Sequence, residues 1–165
     1  MREKYQNALM WALYAVLFLL AVLIQTVILG HPRFLSVKLA ILPVVIACVA
    51  MHNGAENGAI FGLVCGLFWC FAGADGGALH IPLLCLAGAF TGYLCDRLLA
   101  RNIISAILMS LLALILCQTV LFLFKLWLGA AFGRDILLLL RQLVLSLLAC
   151  PPIYLAAWAI RKAGA

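Results

Sequence analysis

The stretch ENGAIFGLVCG, residues 56–66, contains three glycines spaced four residues apart, Gly58, Gly62 and Gly66, directly after one carboxylate, Glu56. Residues four apart lie on one face of an α-helix, so the pattern predicts a helix with a smooth face. Small residues at this spacing let two helix backbones approach closely in a membrane. We interpret this glycine ladder as a helix-packing surface, with a groove for the transmembrane helix of a partner as the alternative.

The same spacing recurs in GAFTG, residues 88–92, where Gly88 and Gly92 are four residues apart. Two glycine faces on neighbouring helices can pack with their backbones in contact. We therefore predict that the third and fourth helices form the close-packed centre of the protein through Gly62, Gly66, Gly88 and Gly92. A partner would then dock on an exposed groove that faces the lipid.

The composition predicts that the lipid bilayer is the solvent of this protein. Of its 165 residues, 68% are hydrophobic and only 10% are charged, whereas soluble domains are roughly half apolar and a quarter charged. No polar stretch is long enough to form a separate soluble domain, so residues 1–165 are predicted to form a single polytopic membrane domain. The net charge of +6 comes from Lys and Arg residues that flank apolar runs, as in membrane proteins, and we exclude nucleic acid as a partner.

The apolar runs predict an all-α integral membrane protein, a compact bundle of about six transmembrane helices. A spanning helix needs roughly 20 residues, and six runs meet or approach this length, at residues 8–29, 34–51, 58–73, 79–95, 103–128 and 136–160. The first run exceeds the ~7–15 residues of a cleavable signal core and no cleavage site follows it, which predicts a retained helix. The three middle runs are short and rich in Gly and Ala, and we expect them inside the bundle.

Prolines and one lysine predict irregularities in two of these helices. The uncharged run after Lys38 is too short to cross a bilayer. Either Lys38 reaches back to the interface from a helix that starts near Phe34, or the segment bends at Pro43. Pro151 and Pro152 predict a kink in the sixth helix, because two backbone donors are missing there.

Amides and thiols in the apolar runs are interpreted as packing residues. Gln25, Gln118 and Gln142 are expected to pair across helices, since a buried amide in lipid needs a hydrogen-bonding partner. The seven cysteines form no C-x-x-C pair and are spread through the apolar runs, which argues against a disulfide or metal framework. We interpret them as small apolar residues of a packed core.

Loop charges set the expected orientation, because cytoplasmic loops of membrane proteins are enriched in Lys and Arg. With six spans and a cytoplasmic N-terminus, the inner side would carry Arg2, Lys4, Arg97, Arg101, Arg161 and Lys162. The outer side would carry Arg33, Lys38 and Arg134, with Lys125 and Arg141 near the membrane. We therefore predict that both termini are cytoplasmic.

Glu56, Asp75 and His80 are the candidates for a polar interior or a pocket rim. Glu56 precedes the glycine ladder, where a carboxylate either is stabilised by the dipole of a helix N-terminus or serves as a functional acid in a cavity or interface. Asp75 and His80 lie in GADGGALHIP, residues 73–82, and could form an acid–base pair. We favour a turn between helices, because Asp before two glycines suits a chain reversal.

Motifs of known catalytic sites are missing from the sequence. It contains no G-x-S-x-G nucleophile setting and no H-E-x-x-H zinc pair. We therefore predict that the protein is not an enzyme, with no catalytic residues, no metal site and no cofactor. Its function is expected to lie in its helices, in its short loops and in the proteins that bind them.

The order of these features resembles one known family. A proline-containing segment runs into the glycine ladder in AILPVVIACVAMHNGAENGAIFG, residues 40–62, and is followed by an acidic turn with GGALH and a GAFTGYL helix. In this order the chain resembles the rod shape-determining protein MreD family over most of its length, best over residues 39–101. The resemblance implies a non-enzymatic scaffold of cell-wall elongation in the bacterial cytoplasmic membrane. It also implies association with an MreC-like bitopic membrane protein, and through it with a RodA-type glycosyltransferase, a penicillin-binding transpeptidase and, indirectly, the MreB filament.

A second family offers an alternative interpretation. About six short helices in a chain of this size are also similar to the substrate-binding subunits of energy-coupling-factor vitamin transporters. The stretch ALMWA, residues 8–12, has the small-xxx-small pattern that such subunits use to dock their transport partner. The two families are expected to share an architecture, so the fold alone does not separate a scaffold from a transporter subunit.

Overall fold

The computed structural model of the protein describes residues 2–25, 40–71, 77–98, 102–127 and 133–164. Within these ranges the chain forms helices and no strand, which confirms the predicted all-α class. In chain order the helices are α1 (Arg2–Leu23), α2 (Ile41–Asn53), α3 (Ala55–Phe71), α4 (His80–Leu98), α5 (Ile103–Trp127), α6 (Gly133–Leu148) and α7 (Cys150–Gly164). A short 3₁₀ helix, Gly77–Leu79, leads directly into α4.

One helix of the described residues is long and apolar enough to cross a membrane, in the part of α5 from Ile103 to Phe124. A second crossing is counted if Leu140–Leu148 and Cys150–Lys162 form one span, bent by 41° at their junction. Shorter apolar helices occur at Ala8–Leu23, Ile41–Asn53 and Ala55–Phe71. The arrangement of six spans therefore stays a prediction.

Helix α2 forms the core of the molecule. Every residue from Ile41 to His52 is buried, and α2 contacts all six other α-helices. A helix that is apolar on all sides is covered either by the rest of the protein or by lipid, and α2 is covered by the protein. Its 13 residues extend about 20 Å, less than the ~30 Å of a bilayer core.

The expected burial of the three middle segments is right for α2 and wrong for α3 and α4. Each of these two helices packs on α2 and on the other, and each keeps one exposed apolar side. Val64 of α3 is 56% exposed and Leu86 of α4 is 61% exposed. The centre of the protein is therefore α2 and not the α3–α4 pair, because a helix that gives one face to its glycine partner and another to α2 has a third face left uncovered.

Both proline predictions can be compared with the helix boundaries. Pro43 lies in the first turn of α2, where its missing N–H has no intrahelical acceptor to lose. Residues 34–39, including Lys38, lie outside the described ranges. The predicted kink in the sixth segment is confirmed, since residues 136–160 divide into α6 and α7 with a 41° bend. Ala149 separates the two helices, and Pro151 and Pro152 lie in the first turn of α7.

Candidate functional site

The contact between α3 and α4 is made by backbone atoms. Gly58 of α3 lies opposite Gly88 of α4, so a Cβ atom placed on Gly58 would be 2.8 Å from the Gly88 carbonyl oxygen. The same atom would be 2.5 Å from the Cβ of Ala50 in α2. A Cβ atom on Gly88 would in turn overlap the Gly58 carbonyl group. Only glycine fits at either position, because no room exists for a side chain.

The backbone contact continues along both helices in antiparallel register. A Cβ atom on Gly62 would overlap the carbonyl group of Leu84, and one on Gly66 would be 2.8 Å from the Cα of Ile81. Residue numbers increase along α3 while those of the contacting residues in α4 decrease, so the two helices run in opposite directions. Close contact of this kind favours van der Waals packing and Cα–H···O contacts.

The glycines of both ladders thus lie at internal contacts between helices. On α4, Gly92 extends the contact to the start of α3, since its added Cβ would be 2.6 Å from the Cα of Ala55. The shared surface contains Gly58, Gly62, Gly66, Gly88 and Gly92. Each helix covers the glycines of the other, so these glycine faces are not open to another protein.

Thr91 is the polar side chain buried beside this contact. Its hydroxyl donates to the carbonyl oxygen of Ala87 at 2.7 Å and lies 3.1 Å from that of Gly88. The hydroxyl is therefore satisfied within α4 and needs no partner on α3. Shape, rather than hydrogen bonding, joins the two helices here.

Two of the three polar candidates from the sequence, Glu56 and His80, lie far apart in the described structure. Glu56 is exposed in the first turn of α3, a position where the helix dipole favours a carboxylate. His80 begins α4 and is half-buried, with its carbonyl oxygen 3.0 Å from the position of a Cβ on Gly66. Because α3 and α4 are antiparallel, Glu56 and His80 lie at opposite ends of the pair and share no pocket. Asp75 lies outside the described residues, and so do the turn predicted there and the alternative pairing of Asp75 with His80.

A one-residue turn joins α2 to α3 at Gly54, which the sequence reading did not single out. Gly54 has a φ of 86°, a conformation that glycine adopts without strain. Its N–H donates to Ala50 O at 2.9 Å, and its own carbonyl accepts from the N–H of Gly58 at 3.0 Å. A Cβ on Gly54 would be 3.1 Å from Oδ2 of Asp96, so this turn lies beside the C-terminal end of α4. The Asn53–Gly54 pair is the sequence signal that could have predicted the turn.

Two side chains from distant helices cap the buried N-terminus of α2. The N–H of Ala40 donates to Oγ of Ser146 in α6 at 3.0 Å, and the N–H of Ile41 donates to Oε1 of Gln25, just after α1, at 3.2 Å. The first N–H groups of a helix have no acceptor within it and need one elsewhere when buried. The prediction that Gln25 pairs across helices is confirmed, whereas the role of Ser146 was missed.

The C-terminal end of α2 carries a buried histidine. The His52 ring stacks on the Tyr154 ring of α7, with centroids 5.2 Å apart and planes 31° apart. Helix α7 therefore lies beside the α2–α3 turn, which α4 also contacts through Asp96. The α2–α3 turn and the C-terminal halves of α4 and α7 therefore lie at one end of the molecule.

The cysteines serve as core residues, as the sequence suggested. None of the seven forms a disulfide, and five are buried: Cys48, Cys65, Cys95, Cys117 and Cys150. Where α5 meets α7, the Ser110 hydroxyl and the Cys150 thiol share a hydrogen bond of 3.2 Å. Among the residues that the structure describes, no three His, Cys, Asp or Glu side chains lie close enough to hold a metal ion.

Comparison with known proteins gives no family assignment. No protein-family model, no curated protein and no solved structure matches this chain. The resemblance to the MreD family therefore stays a prediction from the sequence. A proposal for the function rests on that resemblance and on the surfaces described above.

Proposed function

We propose that this protein is a non-enzymatic membrane scaffold of the bacterial cell-wall elongation complex, which supports rod shape through helix–helix contacts with partner membrane proteins. The observation that carries the proposal is the pair of apolar stripes on the outer sides of α3 and α4. The resemblance to the MreD family names the complex, and the stripes give the surface by which the chain would join it.

The stripes follow the spacing that a packed helix uses. On α3 the exposed residues Ile60, Val64, Leu67 and Phe71 recur every three or four positions, and Phe71 is 83% exposed. On α4 the large hydrophobic residues that are exposed are Leu86, Phe90 and Tyr93. Apolar residues at i, i+4 and i+7 form a continuous ridge along a helix. A ridge of this kind fits between the side chains of a second helix.

The glycine contact gives these stripes a fixed spacing. Because the backbones of α3 and α4 touch at Gly58 and Gly88, the two helices cannot slide or rotate without a steric clash. This contact fixes the distance between the two helices that carry the ridges. A preorganised surface loses little conformational freedom when a partner binds, which suits a scaffold.

The proposed membrane placement has six spans with both termini in the cytoplasm. In it, α6 and α7 together make the last, bent crossing. The contact between Gly54 and Asp96 supports this topology, because six crossings put the α2–α3 and α4–α5 connections on the same side. The expected site is the bacterial cytoplasmic membrane.

The partners proposed are an MreC-like bitopic protein that contacts the stripes and, through it, a RodA-type glycosyltransferase, a penicillin-binding transpeptidase and the MreB filament. The test is affinity purification of the tagged protein from its native host in mild detergent, followed by identification of co-purifying proteins. Recovery of the MreC-like and RodA-type proteins in amounts close to that of the tagged chain is expected. Recovery of ATPase subunits with a transmembrane coupling protein, and of neither elongation protein, would contradict the proposal.

One observation favours the second candidate, a substrate-binding subunit of an energy-coupling-factor transporter. Ala8 and Ala12, the small residues of the ALMWA stretch, are both exposed on α1, so this small-residue face is open to another helix. An Ala12→Leu change would fill that face. The transporter interpretation would be established by two results together. The purified Ala12→Leu complex would lack ATPase subunits, and a vitamin would co-purify with the unaltered protein.

A further inference from the structure

Two exposed cations stack on exposed aromatic rings near the C-termini of two helices. In α4 the Arg97 guanidinium lies 5.6 Å from the centroid of the Tyr93 ring. In α7 the Lys162 ammonium lies 5.2 Å from the centroid of the Trp158 ring. The members of each pair are four residues apart and so share one helix face. Tyr93 is 53% exposed and Trp158 is 48% exposed, so both pairs face outward.

Both pairs lie at the same end of the molecule. Helix α4 passes the α2–α3 turn at Gly92, whose added Cβ would be 2.7 Å from the carbonyl carbon of Gly54. Helix α7 passes the same turn at Tyr154, whose ring stacks on His52. Each pair begins within about one helical turn of these contacts. The two cations therefore emerge beyond the turn, from two different helices.

Two carboxylates lie at this end among the side chains that the structure describes, those of Asp96 and Glu56. The Asp96 carboxylate is turned against the α2–α3 turn, 3.1 Å from the position of a Cβ on Gly54. Arg97 follows about 100° further round the helix and lies over Tyr93. Glu56 is exposed in the first turn of α3, and half-buried Arg161 adds a third cation to this end.

We propose that the Tyr93–Arg97 and Trp158–Lys162 pairs bind the phosphate groups of anionic phospholipids in the leaflet that meets this end. Tyr and Trp rings at a bilayer surface lie at head-group depth, and each ring holds its cation at that depth by cation–π attraction. The stacked cation keeps free N–H donors, and less side-chain freedom is lost when a phosphate oxygen binds. In the orientation proposed above, this leaflet is the anionic cytoplasmic one. The inference needs membrane placement only, so it can fail or succeed separately from the scaffold function.

Lipid retention measures this binding directly. The purified protein is placed in nanodiscs that contain equal amounts of phosphatidylglycerol and phosphatidylcholine, and the lipids it retains are counted by native mass spectrometry. We expect phosphatidylglycerol to be retained in preference. Arg97→Gln and Lys162→Gln should each lower the ratio of the two lipids about fivefold, and the double variant should have no preference. Added salt should weaken the preference, because it screens exposed charges.

A matched control separates this site from overall charge. Arg141→Gln removes an exposed cation from α6, the helix that reaches the opposite end of α2 through Ser146, and should leave the ratio unchanged. Arg97→Lys keeps the charge and should keep most of the preference for phosphatidylglycerol. This result would show that a substitution at position 97 does not by itself disrupt the fold. The proposal is overturned if the double variant still prefers phosphatidylglycerol, or if Arg141→Gln lowers the ratio equally. Displacement of the lipid by excess inorganic phosphate would also overturn it, since the site would then be one for free anions.

Discussion

The two sides of α3 pack by opposite means. Toward α4, the glycine ladder brings backbone against backbone, with no room for a single methyl group. Toward α1, large rings meet at centroid distances between 5.4 and 6.5 Å: Trp11, Tyr14, Phe18, Phe61 and Phe68. One helix thus has a contact without side chains and a contact made only of them.

This difference determines where the fold tolerates a change in side-chain volume. Backbone atoms cannot rotate away from an added group, so a new side chain in the glycine contact must separate the helices. Aromatic rings can change rotamer. When one ring is removed, its neighbours can move and fill part of the space. We therefore expect steep penalties for added volume on the α4 side and graded penalties for removed volume on the α1 side.

The largest effect is expected from Gly62→Leu. The new Cβ would overlap the carbonyl group of Leu84, and we expect unfolding to become easier by about 3 kcal/mol or more, the upper end for overpacked cores. Thermal unfolding of the detergent-purified protein, followed by tryptophan fluorescence, measures the change. Val64→Leu adds volume on the exposed side of the same helix and should shift stability by less than about 0.5 kcal/mol. An unfolding temperature of Gly62→Leu equal to that of the unaltered protein would refute the backbone contact.

A smaller effect is expected from Phe61→Ala. The Phe61 ring is buried and meets Trp11, Tyr14 and Phe18. Its removal should cost about 2 kcal/mol, below the range of 3–5 kcal/mol for soluble cores, because the neighbouring rings can shift and fill part of the space. The same thermal measurement applies, with the exposed Phe71→Ala as the control. A loss as large as that of Gly62→Leu would mean that the two sides of α3 do not differ.

Pairwise coupling tests the aromatic side more finely. Phe18 and Phe68 meet edge to face at 5.4 Å, so a double-mutant cycle of Phe18→Leu and Phe68→Leu should give a coupling of about 0.5–1.5 kcal/mol. The free energies come from unfolding of the four proteins by denaturant in mixed micelles. Strict additivity of the two changes would show that the rings do not interact in the folded protein.

The smallest effect is expected from Thr91→Val. The Thr91 hydroxyl bonds only within α4 among the contacts described here, and both carbonyl groups can keep their helical partners without it. Stability should change by less than about 0.5 kcal/mol, since the hydroxyl is removed without leaving a buried donor or acceptor unsatisfied. A loss above 2 kcal/mol would show that hydrogen bonding, and not shape, holds α3 to α4.

Features with a local cause could be predicted from the sequence. Glycines four residues apart share a helix face whatever surrounds the helix, so the spacing of Gly58, Gly62 and Gly66 indicated a close helix contact. Pro151 and Pro152 remove backbone donors whatever the fold, so they indicated the break between α6 and α7. The sequence did not indicate that the break falls at Ala149, because helix ends depend on packing as well as on local preference.

Features with a distant cause could not be predicted. Apolar periodicity identifies buried faces only when the exposed faces are polar, and in this chain almost every segment is apolar on all sides. The central place of α2 was therefore hidden, and so was the exposure of Val64 and Leu86. The cap on Ala40 comes from Ser146, 106 residues further along the chain, and no local pattern points to it.

The glycine ladders are used inside the protein, and we propose that a partner docks on the outer stripes. Site-specific photo-cross-linking in the native host tests it most directly, with benzoylphenylalanine placed at Val64 and Leu86 of the stripes, at Ala12 of α1, and at Ile104 on the exposed side of α5. If the partner docks on the stripes, Val64 and Leu86 should give cross-links to the MreC-like or RodA-type protein, and Ile104 should give none. Cross-links to ATPase or coupling subunits from Ala12, with none to an elongation protein from either stripe, would contradict it.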